Sequence, residues 1–143
     1  MTDAMIEVLT SLLGTLGFGF LFNVRGKKLL FASLGGALAW ALFLVLGNWI
    51  ESEPLRYLLV SICSTLYAEF LARKLKTPVS TFAMVNLIPL VPGGALYRTT
   101  AFALGGQKEA FAENFVDTLL LSVGLSLGIV LVISFFKIKK TLS

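Results

Sequence analysis

An apolar run from about residue 79 to about residue 104 is long enough to cross a bilayer as one helix, yet its centre is built to stop one. The stretch MVNLIPLVPGGALYRTT (84–100) carries Pro89, Pro92, Gly93 and Gly94 close together. Each proline removes a backbone donor, so the carbonyls of Val85 and Ile88 are expected to lose their usual partners four residues on. Beyond the break, the amides of Gly93, Gly94, Ala95 and Leu96 open a second half-helix without intrahelical acceptors. Unpaired groups of this kind are costly in hydrocarbon and persist only against protein or a wet cavity. Broken helices near the midplane are a means by which transporters build binding sites.

The surrounding chain fits a lipid solvent. Of its 143 residues 57% are hydrophobic and 14% charged, well below the roughly 25% charge of soluble domains. A soluble fold of this size has no interior able to hide so much apolar surface. The net charge of +4 sits in short basic groups between apolar runs, the pattern of cytoplasmic loops rather than of a nucleic-acid surface, so no nucleic-acid partner is expected. Cys63 is the only cysteine and there is no histidine, which removes disulfides, thiolate metal sites and His-based acid–base chemistry. With no paired intramembrane carboxylates and no nucleophile elbow either, neither an enzyme nor a metal or other cofactor is expected.

The apolar runs predict an all-α polytopic membrane protein, one membrane domain over 1–143. Its five spans lie at about 4–22, 29–50, 55–72, 79–104 and 110–136, the fourth broken at 89–94. The acidic N-terminus MTDAMIEVLT lacks the basic region and cleavage site of a signal peptide and reads as the start of span one. Gly14, Gly17 and Gly19 on span one form either a close-approach face or ordinary membrane-helix glycines; GLSLG (124–128) on span five reads as a packing face. Trp49 fits an interfacial belt, whereas Trp40 lies too deep and is expected against another helix. Basic groups follow spans one (Arg25, Lys27, Lys28), three (Arg73, Lys74, Lys76) and five (Lys137, Lys139, Lys140), with the acidic ESEP link between spans two and three. If every span crosses, all three groups share one side, which puts the N-terminus outside and the C-terminus in the cytoplasm of a cell-membrane protein. Five spans without an internal repeat leave a transporter of two inverted halves in need of a second half.

The break suggests its own chemistry. The amides after it suit a carboxylate, and the freed carbonyls before it suit an ammonium group or cation. Arg98, roughly one turn on, is either a two-pronged carboxylate ligand or a side chain that snorkels or pairs with an acid. Asn86, Tyr97, Thr99 and Thr100 supply polar groups, each alone more typical of helix packing. Asp117 in span five is either a proton-coupling acid or the partner of Arg98, and Glu69 faces Arg73 at ion-pair spacing. The candidate substrate site is therefore Asn86, Pro89, Pro92, Gly93, Gly94, Tyr97 and Arg98, with Asp117 and Glu69 as proton-coupling or ion-pair residues.

The segment TPVSTFAMVNLIPLVPGGALYR, preceded by AEFLARKLK, resembles the threonine/serine exporter family, and LFNVRGKKLLFASLGGALAW is similar to its first turn and second span. The likeness covers nearly the whole chain and is closest to the small membrane-only subunit of the family's split form. It implies proton-driven export of small metabolites (threonine and serine, or succinate in some split pairs) together with a larger partner subunit. It also implies that Pro89, Pro92, Gly93 and Gly94 are the family's break, with Tyr97 and Arg98 following, and that Glu69 and Arg73 are family features at the cytoplasmic mouth. A structural scaffold for a larger transporter subunit, or a homo-oligomeric channel, is the alternative.

Overall fold

The computed structural model describes residues 2–142, with side chains over 3–139. Six helices follow in order: α1 (Thr2–Leu21), α2 (Lys27–Gly47), α3 (Glu53–Lys74), α4 (Val79–Asn86), α5 (Gly93–Leu104) and α6 (Lys108–Leu142). A 3₁₀ turn, Ile88–Leu90, joins α4 to α5. Helices α1, α2, α3 and α6 are each long and apolar enough to cross a membrane, and the bent pair α4–α5 brings the number to five if it is one crossing. The chain is thus an all-α polytopic membrane protein. The bend between the two halves is 45°.

Local sequence explains where the helices stop. Helix α1 ends with Asn23 in the left-handed region (φ 57°), while the amides of Val24 and Asn23 return to the carbonyls of Gly19 (2.9 Å) and Phe20 (3.0 Å). This is the paired closure that satisfies orphan helix carbonyls. The end of α5 repeats it, with Gly106 left-handed (φ 69°) and Gln107 N–H donating to Phe102 O at 3.1 Å. Pro54 lies in the first turn of α3, where its missing N–H costs nothing.

Two tight pairs, α1 with α2 and α3 with α6, frame the bundle, and α4 wedges between α2 and α3. Four of the fully covered side chains, Phe82, Val85, Asn86 and Leu90, belong to α4 and the turn after it. Small residues permit these approaches. A Cβ on Gly128 would run into Ser61 and the Leu58 carbonyl of α3, and one on Gly124 into the Pro54 carbonyl, so the GLSLG face packs directly on α3 backbone. On α1 the outcome differs: Gly19 abuts Leu29, but Gly14 and Gly17 meet nothing within 4 Å, so these two form no close-approach face within the chain. Trp40 stacks on Phe43 of its own helix (centroids 5.3 Å) and reaches α1 through its indole N–H.

Candidate functional site

At the break the backbone repairs more of itself than two prolines suggest. The chain tightens into i→i+3 bonds: Leu90 N–H donates to Leu87 O (2.9 Å) and Val91 N–H to Ile88 O (3.2 Å), while the carbonyl of Val85 receives an amide from the cap of α4. The carbonyls of Val85 and Ile88, expected to be freed, are therefore each paired with an amide. On the far side, Gly93 N–H turns back to Val91 O (2.6 Å) and Leu96 N–H to Pro92 O (3.0 Å). Of the four amides opening α5, those of Gly94 and Ala95 remain without a backbone acceptor.

Arg98 folds back over this turn. Its Nη1 lies 3.7 Å from where a Gly94 Cβ would stand, so the guanidinium shares one edge with the open amides. Gly93 has nothing within 4 Å of its Cβ position, and Tyr97 and Arg98 are exposed, so the approach is clear of this chain's own side chains. Arg98 and Asp117 form no ion pair; both are exposed. The contact between α5 and α6 runs instead through Thr99 and Thr118, whose hydroxyls lie 3.0 Å apart and are buried.

Asn86 belongs to a different environment. It is wholly covered, and with its amide oriented so that nitrogen rather than oxygen faces the neighbouring carbonyls it donates to Ala32 O of α2 (2.8 Å) and Phe82 O (3.2 Å). Gly35 makes the space: a Cβ there would stand 2.6 Å from the Asn86 amide. Asn86 therefore locks α4 to α2 and is not gathered with Tyr97 and Arg98. Glu69 lies at the basic end of the bundle, largely buried, with Arg73 Nε 3.3 Å from its Oε2. The Arg73 guanidinium also covers the Phe136 ring at 4.6 Å, tying α3 to α6 beside an open cavity.

A second cavity of about 290 Å³ adjoins the break on the α1–α2 side, walled by Ile88, Pro89, Ser11, Thr15, Glu7 and Trp40. Trp40 Nε1–H donates to Glu7 Oε2 at 3.1 Å. Sequence reasoning missed this group because Glu7 and Pro89 are far apart in the chain. The one available signal was an indole too deep for the interface and in need of an acceptor.

With this geometry in hand, the comparison with known proteins is specific. A family profile described as Threonine/Serine exporter, ThrE, matches residues 7–135. Neither the curated proteins nor the solved structures gave a match.

Proposed function

This chain belongs to the threonine/serine exporter family, and on that footing we propose that it is the membrane subunit of a secondary exporter that binds a small carboxylate-bearing metabolite at the break between α4 and α5. One observation carries the reading: the open amides of Gly94 and Ala95 and the Arg98 guanidinium converge on the same turn. Helix-start amides and a two-pronged cation are complementary to a carboxylate, and the helix dipole adds to both. Pro89 and Pro92 hold the turn open, and Gly93 and Gly94 keep its approach clear. Tyr97 stands at the edge with its hydroxyl available; Asn86 serves by fixing α4.

Counting the bent pair as one crossing gives five, an odd number that favours assembly with a larger subunit of the same family in the cell membrane. The basic groups favour a cytoplasmic C-terminus and an outside N-terminus. We assign the driving force to the proton gradient, with Asp117, an acid on α6 that has no ion-pair partner among the described residues, as the residue to test for coupling.

The experiment is efflux of labelled threonine, serine and succinate from cells carrying this chain alone, with the larger subunit, or neither, alongside Arg98→Ala with membrane abundance followed by immunoblot. Export that needs both chains and disappears in Arg98→Ala at normal abundance is the expected result. Unchanged export in that variant refutes a site at the break and leaves the chain a packing scaffold. Export by this chain alone would point to a homo-oligomer.

A further inference from the structure

The open cavity at the basic end of the bundle, about 870 Å³, lies where α3 ends, α4 begins and α6 leaves its apolar run. Gly124 packs against Pro54, Gly128 against Ser61 and Phe136 under Arg73, so α3 and α6 run in the same direction and reach this end together. Lys76 in the left-handed region (φ 49°) then closes α3, with Thr77 N–H on Ala72 O at 3.0 Å, and turns the chain into α4. Helices α4 and α6 each pack on α3 but scarcely touch one another, and the cavity is the gap between them.

Its lining is graded along the helices. Ala72, Val79 and Ile133 give an apolar wall, and Ile133 lies one helical turn before Lys137. Arg73, Lys137 and Lys139 bring three positive charges against the single carboxylate of Glu69. Glu69 engages only the Nε–H of Arg73 (3.3 Å), while the Phe136 ring 4.6 Å below fixes the guanidinium over the cavity. Its two terminal nitrogens thus keep the paired N–H geometry that suits a phosphate. The apolar run of α6 ends at Phe136 and the lysines follow, which puts the cations at the depth of bilayer phosphates and Ile133 at that of the first acyl carbons.

We propose that this cavity binds an anionic phospholipid, its phosphate held by Arg73, Lys137 and Lys139 and the top of an acyl chain laid against Ile133 and Val79. Basic pockets between membrane helices are suited to such headgroups. A free phosphate would satisfy the cations but leave the apolar wall uncovered, and a zwitterionic lipid would add a cation to a site that already has an excess of them. The inference goes beyond export and does not depend on it.

The test uses the full chain in detergent, mixed with dioleoyl phosphatidylglycerol, dioleoyl phosphatidylcholine or sodium phosphate, with bound molecules counted by native mass spectrometry. Phosphatidylglycerol should be retained at concentrations where the other two are not. Lys137→Gln with Lys139→Gln should weaken its retention about tenfold or more, since each basic residue facing an anionic headgroup is worth about fivefold. Arginine at both positions should preserve it. Ile133→Trp fills the apolar wall, leaves every charge in place, and should also weaken the lipid; it decides alone if the glutamine pair fails to fold. Equal retention of phosphatidylcholine overturns the assignment, as does phosphatidylglycerol binding unaltered by these substitutions, which would mark it as lipid of the general annulus. Displacement of the lipid by equimolar inorganic phosphate would make the cavity a free-anion site and overturn it too.

Discussion

Replacing Asn86 by alanine separates a ligand role from a structural one. The side chain is fully covered and makes two hydrogen bonds, to Ala32 O across the α2–α4 contact and to Phe82 O within α4. Interhelical hydrogen bonds in membrane proteins average roughly 0.6 kcal/mol and reach about 1.7 kcal/mol. Losing the one to Ala32 O therefore costs about 0.6–1.7 kcal/mol, and the lost bond within α4 and the space left against Gly35 add to it. The carbonyls left behind belong to helices and keep their own intrahelical partners, so no unpaired buried group enlarges the loss. Asn86→Ala should lower the unfolding midpoint by several degrees, read as loss of the monodisperse peak after heating in detergent, while surviving protein still binds threonine normally. Gly35→Ala attacks the same contact from the other side, because its Cβ would stand 2.6 Å from the Asn86 amide and equally close to the Tyr67 ring. In the Asn86→Ala background that methyl gains room on one side. The double variant should therefore lose less than the sum of the single losses, a coupling expected only between residues in contact. Unchanged stability in Asn86→Ala together with lost threonine binding would refute the reasoning and make Asn86 a ligand. Strict additivity would show that the two residues do not meet.

Three other perturbations follow from the geometry. Gly128→Leu places a branched side chain where Ser61 and the Leu58 carbonyl already stand, so α3 and α6 must separate; membrane abundance should fall sharply, as an immunoblot would show. Gly93→Leu enters open space and should leave abundance normal while covering the amides of α5, which would reduce export with little change in thermal stability. Arg73→Gln strips the buried Glu69 carboxylate of its partner, whereas Glu69→Gln with Arg73→Gln removes both charges. The double variant should be the more heat-resistant of the two in detergent, and the reverse order would mean that the pair contributes little.

Much of this architecture is legible in the sequence because apolar run length and proline placement act locally. Pro89 and Pro92 announce the break, and Asn23 and Gly106 stand where left-handed helix closures need them. Other features depend on contacts that no local rule contains. The carbonyls of Val85 and Ile88 lack their helical donors as proline requires, yet the 3₁₀ turn supplies others. Asn86 lies one turn from the break in sequence but points into the α2 contact, because Gly35 leaves a gap there. Arg98 and Asp117 form no ion pair, and α5 meets α6 instead through Thr99 and Thr118.

The two halves of the broken crossing are held to very different degrees. Helix α4 is gripped by α2 and α3, with Phe82, Val85 and Asn86 inaccessible, whereas α5 leans on α6 and buries only Ala95 and Thr99. In mechanical terms α4 is the fixed post and α5 the arm, joined by a turn whose short-range bonds are independent of where the arm points. Swinging α5 would separate a single helix pair and one threonine–threonine contact. The half that carries the open amides and Arg98 is thus the one held by fewer neighbours, while Pro89 belongs to the turn that packs on α1 and α2.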